Sequence, residues 1–158
     1  MSQLDVGLLV AAPDDIAEEQ RPLPDNVHAG WLPLDVVVHS LDLLVHHTVG
    51  NTMLTALANG VSQVLIPYLP NVTDYAQRLS TFGAAVTVQP GEDTADAILA
   101  AAVRVLDDPS FWERATEIAE ENAGQPPPPT WLGRSESRGP PHLSMCGSGA
   151  DKAGRPTD

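Results

Sequence analysis

The sequence predicts an α/β fold, a Rossmann-like parallel sheet with helices on both faces, from two observations. Short apolar runs alternate with amphipathic segments along residues 4–123, and small-residue turns join them. A chain of 158 residues with 42% apolar content supports one modest core and hardly two. The expected organisation is therefore one domain over residues 1–123, followed by a tail over 124–158.

The elements follow in order. LDVGLLVAA (4–12) is a buried strand, and Pro13-Asp14-Asp15 then suits a turn or helix start. RPLPDNVHAGWLPL (21–34) carries three prolines around a short VHAGW strand, and a brief helical segment runs through Val36 to His39. Leu41–His47 is the next strand, LTALANG (54–60) a helix with Gly60 placed at its C-terminal cap, and VSQVLIPY (61–68) another buried strand. TDYAQRLSTFG (73–83) reads as an amphipathic helix with Tyr75, Leu79 and Phe82 on its apolar face, and AAVTV (84–88) as a strand. An alanine-rich helix starts at Thr94, and Ser110 caps a last one from Phe111 to about Asn122. Beyond it, PPPP (126–129) blocks both helix and ladder, and residues 130–158 lack apolar periodicity, so the tail is expected to be disordered.

Charge narrows the partners. The net charge is −13, and through residue 129 there are 18 acidic residues, four arginines and no lysine, which disfavours a nucleic-acid backbone as partner. An anionic ligand is not excluded, because backbone N–H groups at a helix N-terminus supply a positive end without basic side chains. With one cysteine, Cys146, no long apolar run and no basic leader, a soluble cytoplasmic protein without membrane contact is expected.

The segment DLLVHHTVGNTML (42–54) stands where open α/β sheets place ligands, between the carboxyl end of a strand and the N-terminus of a helix. Gly50 permits close backbone approach, Asn51 and Thr52 supply N–H and hydroxyl donors, and His46 adds another; alternatively Asn51 or Thr52 merely caps its own helix. His28 and His39 invite a metal reading beside His46 and His47, but His46 and His47, adjacent on a strand, point to opposite faces and do not readily share one ion, so no metal site is expected. Trp31 either stacks on a planar base or plugs the sheet edge. Asp14, Asp15, Glu18 and Glu19 read as a solvated helix face.

Taken in order, PDNVHAGWLPL (24–34), DLLVHH (42–47), TALANGVSQVLIP (55–67), DYAQRL (74–79), FGAAV (82–86) and DDPSFW (107–112) resemble the C-terminal, nucleotide-sugar-binding half of the GT-B glycosyltransferases that decorate natural products in actinomycetes. The resemblance implies base binding by Trp31 and Pro33, with Leu34 nearby, and a diphosphate loop at His46 and residues 48–53. The family's Gly-Gly-Ala-Gly-Thr-Thr is here Thr48, Val49, Gly50, Asn51, Thr52, Met53, so three glycines are replaced. At the family's sugar-binding Asp-Gln pair stand Asn71 and Val72, of which only Asn71 can hydrogen-bond. It also implies a nucleoside-diphosphate sugar as donor substrate, no cofactor or metal, and a catalytic base and acceptor domain supplied by a missing N-terminal half or a partner glycosyltransferase. This chain alone would then be inactive. The alternative is a non-catalytic glycosyltransferase-like partner or remnant that has lost donor binding; a dinucleotide binder is disfavoured because no GxGxxG follows a strand.

Overall fold

The computed structural model describes residues 6–19 and 21–126. Five short strands and six helices occupy them: β1 (Leu8–Ala11), α1 (Asp14–Glu19), β2 (Val27–Gly30), α2 (Leu34–Val37), a 3₁₀ turn (Val38–Ser40), β3 (Leu43–His46), α3 (Gly50–Ala58), β4 (Ser62–Leu65), α4 (Pro70–Phe82), β5 (Ala85–Thr87), α5 (Ala95–Asp107) and α6 (Pro109–Ala123). All pairing is parallel, but it falls into two sheets, β1 with β2 and β3-β4-β5. The expected α/β architecture is present; its division into two sheets was not foreseen. Trp131, Leu132 and Cys146, with nearly all of the expected tail, lie outside the described residues.

Strand β4 is the centre of the core, and its alternation decides what each face carries. Val64 packs with Val88, Ala101, Val105 and Phe111, under α5 and the start of α6. Leu65, one residue on and therefore facing the other way, packs with Met53, Ala76, Leu79 and Ala115 from α3, α4 and α6. A third cluster of Val38, Ala56 and Val61, with Leu34 and Leu44 against it, joins α2 and the 3₁₀ turn to α3. Helices thus cover both faces of the larger sheet, which is why its middle strand is buried at every position.

Several local expectations are corrected. Helix α3 begins at Gly50, four residues before the apolar spacing becomes visible at Leu54. Its C-cap is Asn59, with Gly60 just beyond at φ 68, where the left-handed backbone favours glycine and a Cβ would lie 3.4 Å from the Thr116 Cα. Helix α4 starts at Pro70, whose fixed φ and missing N–H suit the first helical turn. Its core-facing residues are Ala76 and Leu79, while Tyr75 and Phe82 are exposed; the small Ala76, fully buried, sets how closely the helix approaches the sheet. At the head of α6 the cap is Asp108, which accepts the Ser110 N–H at 3.0 Å, so Ser110 lies inside the helix rather than at its cap. That bond also holds the Asp108 carboxyl below its ordinary range.

Side-chain capping is uneven along the chain. Thr94 Oγ1 accepts the Ala97 N–H at the head of α5, whereas α3 and α4 begin at Val49 and Leu69 with no side-chain cap. Thr94→Ala is expected to lower the unfolding free energy by about 1 kcal/mol. Asn51→Ala should stay within about 0.5 kcal/mol of the parent, because its side chain caps nothing. Urea titration of both variants measures the contrast, and equal losses would contradict the assignment of caps.

Candidate functional site

Because β3 and β4 are parallel neighbours with His46 opposite Leu65, the segments that follow them emerge at one end of the sheet. One is His47–Val49, leading into α3 at Gly50; the other is Ile66–Leu69, leading into α4 at Pro70. Gly50, Asn51 and Thr52 form the first three positions of α3, where N–H groups have no partner within the helix, and the first helical bond is made by the Met53 N–H to the Val49 carbonyl at 3.0 Å. Neither Asn51 nor Thr52 caps the helix, so the bland alternative for these residues is not what the structure shows. Asn71 is exposed in the first turn of α4 beside half-buried Val72.

His46 is buried at the end of β3. Only 8% exposed, it accepts the Thr48 N–H at Nδ1 over 3.1 Å, and its Nε2 lies 2.7 Å from Gln63 Oε1. An Nδ1 that accepts carries no proton; the proton therefore sits on Nε2 and is donated to Gln63, which fixes the ring as the neutral Nε2–H tautomer. Gln63, fully buried on β4, donates in turn from Nε2 to the Met53 carbonyl of α3 at 3.5 Å. Burial lowers the His46 pKa from 6.5, neighbouring His47 lowers it further, and the Gln63 bond opposes the shift. Both ring nitrogens are committed inward, so in this conformation His46 does not offer the donor to an anion that the sequence suggested. It supports the loop instead. His47, on the opposite face as strand alternation requires, is exposed.

The loop it supports is strained. Thr48 has φ 64, a left-handed value uncommon for a β-branched residue, and it is 1% exposed with an Oγ1 that finds no hydrogen-bond partner. Its N–H is drawn back onto the imidazole two residues earlier, which holds the backbone in that region. Gly50 has open space around the position a Cβ would take.

Trp31 and Pro33 follow β2, in the other sheet. Trp31 is 79% exposed, so it plugs no sheet edge, and Pro33 is the N-cap residue of α2, which packs through Leu34 into the cluster shared with α3. His28 and His39 are exposed, and among the described residues no three His, Cys, Asp or Glu side chains are grouped to hold a metal ion. The carboxylates of α1 are all exposed, a solvated face. A cavity of about 490 Å³ lies beside β5, between Gln77, Ser80, Thr87, Arg104 and Phe111, and shares no residue with the predicted site. Gln63 is the residue sequence reasoning missed. The signal was a carboxamide inside the apolar run VSQVLIP, since a buried amide requires partners.

Two outcomes follow from this network. Thr48→Gly relieves the left-handed backbone and removes the orphaned hydroxyl, and should raise stability by about 1 kcal/mol despite the added freedom of the unfolded chain. Protonation of His46 would break its bond with the Thr48 N–H. Because its folded pKa is depressed, stability is complete above pH 6.5 and is lost as pH falls below that value, where the unfolded chain takes up a proton that the folded one refuses. Urea midpoints across this range should slope more steeply for the parent than for His46→Gln; parallel slopes would contradict the assignment.

The family model described as erythromycin biosynthesis protein CIII-like, C-terminal domain, matches residues 1–135. The chain is 30% identical over 129 residues to 10-deoxymethynolide desosaminyltransferase of Streptomyces venezuelae, covering 81% of this chain and 30% of that protein. It is 33% identical over 131 residues to aclacinomycin-T 2-deoxy-L-fucose transferase of Streptomyces galilaeus, again covering 81% and 30%. It therefore spans about three tenths of the length of these curated relatives. Among solved structures, the spinosyn forosaminyltransferase SpnP superposes with a TM-score of 0.73 at 31% identity over 85% of this chain and 35% of that one. Glycosyltransferase VinC, solved in complex with DTDP, gives 0.73 at 30% identity over 78% and 31%. The chain belongs to the erythromycin biosynthesis protein CIII-like C-terminal domain family, the C-terminal, GT-B half of natural-product glycosyltransferases.

Proposed function

We propose that this chain is the donor-binding part of a glycosyltransferase of antibiotic biosynthesis, holding a nucleoside-diphosphate sugar for transfer to a natural-product acceptor. The observation that carries the reading is the uncapped N-terminus of α3 at the carboxyl end of β3, where the N–H groups of Gly50, Asn51 and Thr52 are free of helical partners. They would hold the diphosphate and stabilise its departing charge, with no metal or other cofactor required. His46 acts through Thr48 by fixing the loop. Trp31 and Pro33 would seat the base, and Asn71 would bond a sugar hydroxyl. The likeness to VinC, whose structure contains DTDP, supports a thymidine nucleotide as the ligand to try first. Turnover requires a base within hydrogen-bond reach of the acceptor, and we assign that base to the remainder of a longer or partnered transferase in a soluble, cytoplasmic setting.

A second reading, a glycosyltransferase-like partner that no longer binds donor, is favoured by one arrangement. Thr48 and Val49 replace glycines in the loop, and half-buried Val72 offers no polar group beside Asn71. The two readings part on a direct measurement, calorimetry of the chain with TDP, UDP and TDP-sugars. Binding at micromolar to submillimolar TDP favours the first, and silence at millimolar ligand the second.

Site variants sharpen the test. Gly50→Ala meets open space and should leave the melting temperature unchanged or raised, yet weaken TDP binding at least tenfold by adding a Cβ where phosphate must approach. Trp31→Ala, at an exposed position, should leave stability within about 0.5 kcal/mol while reducing TDP affinity roughly tenfold through lost stacking. Unchanged affinity in both variants would remove the site from this loop.

A further inference from the structure

Strand β5 closes the three-stranded sheet on one side and leaves its own outer edge unpaired. The Ala84 carbonyl accepts the Gln63 N–H at 3.3 Å and the Val88 N–H donates to the Leu65 carbonyl at 2.9 Å, so alternate positions from 84 to 88 face β4. The N–H and C=O groups of Ala85 and Thr87 therefore face away, and among the described residues they have no backbone partner. This edge forms the floor of a groove. The cavity of about 490 Å³ lies along it, walled by Thr73, Gln77 and Ser80 of α4 on one side and by Arg104 and Phe111 of α5 and α6 on the other. Ser80 Oγ lies 2.6 Å from Thr87 Oγ1, which donates to the Ala76 carbonyl at 3.2 Å, and this hydroxyl pair fixes the first wall against the strand. On the second wall the Arg104 guanidinium sits over the Phe111 ring, 5.7 Å from its centroid. Arg104 is the only cation lining the cavity, and among the described residues it forms no ion pair; the Asp108 carboxylate one turn on accepts the Ser110 N–H instead. The Arg114 Cγ lies 3.6 Å from where a Cβ would stand on Gly83, so the corner from α5 into α6 is at the amino end of β5.

We propose that this groove docks an extended peptide of a partner protein, which adds to β5 as an antiparallel strand and places its C-terminal carboxylate on Arg104. Its backbone satisfies the outward groups of Ala85 and Thr87. Strand direction follows from charge: antiparallel pairing carries the carboxyl end of the peptide to the corner that holds Arg104, whereas parallel pairing would set a terminal ammonium against a guanidinium. Side chains of the peptide alternate between the two walls, and those toward α4 meet hydroxyl and amide groups, so small polar residues fit there. A net charge of −13 repels a peptide that is acidic along its length, which leaves the terminus as its one negative group and neutral or basic residues before it. A second copy of this chain is a poor occupant, because its β5 is flanked by the same two walls and it carries the same charge. The groove shares no residue with the donor loop, and the inference does not rest on donor binding.

The full chain is screened against a synthetic array of short peptides with free carboxyl ends, neutral or basic in sequence, with β-branched residues at alternate positions. Binders are remade with the end amidated. The expected result is micromolar binding by calorimetry, weakened roughly tenfold by amidation and equally by Arg104→Gln, an exposed position, with circular dichroism unchanged. Arg78→Gln, on α4 outside the cavity, is the control and leaves affinity within about twofold. In amide hydrogen exchange, Ala85 and Thr87 exchange freely in the chain alone and gain roughly tenfold protection with peptide. Silence across the array at millimolar peptide would overturn the proposal. So would a binder indifferent to amidation or to Arg104→Gln, or one that leaves Ala85 and Thr87 exchanging as before. A dimer of the chain alone, seen by light scattering and protecting those two amides, assigns the edge to a second copy and overturns it equally. TDP calorimetry on Arg104→Gln should match the parent, so peptide docking and donor binding stand or fall separately.

Discussion

One imidazole holds three pieces of backbone together. His46 ends β3, accepts from the loop at Thr48, and donates to Gln63 in the centre of β4, which reaches the Met53 carbonyl of α3. A buried polar chain of this kind is costly if any member lacks a partner, and the cost enforces a single arrangement of loop, strand and helix. The orientation of the α3 N-terminus, and with it any anion site at that end of the sheet, depends on the ring staying neutral. Burial ensures that it does near neutral pH.

The same network bears on why the loop keeps a glycine-like backbone without the glycine. Thr48 adopts φ 64 although its Cβ disfavours that region, and its hydroxyl is buried without a bond. The conformation persists because the Thr48 N–H is tied to His46 and the following residues begin a helix packed into the core through Met53 and Ala56. Sequence change at one position of a loop thus need not change its shape, as long as the anchors on either side remain; it changes the stability with which the shape is held.

Much of this was legible in the sequence. Turn residues and apolar runs locate the five described strands to within a few residues, although β1, expected to be buried, is exposed at three of its four positions and only β4 is buried throughout, and the ordered motifs from Gly30-Trp31 to Phe111-Trp112 identify the family. Less legible was anything that depends on a partner distant in the chain. The start of α3 is concealed because Gly50, Asn51 and Thr52 have poor helix propensity, and packing of Met53 and Ala56 overrides it. The apolar face of α4 is misread because Tyr75 and Phe82 outweigh Ala76 in any hydrophobic pattern, yet only the alanine is small enough to lie against the sheet. His46 reads as a free donor until Gln63 is found beside it, seventeen residues later. The division of the sheet could not be read at all, since pairing is a property of strands separated in sequence.

The acidity of the chain has a consequence for the outer strands of the two sheets. Exposed ladder groups on apolar strands are templates for edge-to-edge association between copies, and the chain lacks the usual lysine guards, with none through residue 129. A net charge of −13 provides a different safeguard, a long-range repulsion that keeps copies apart before their edges can meet. That safeguard is colloidal rather than structural: it shortens to about 8 Å at physiological ionic strength and vanishes as carboxylates protonate. Any resistance to self-association that this charge confers is thus set by salt and acid in the surrounding solution, not by any feature of the strands.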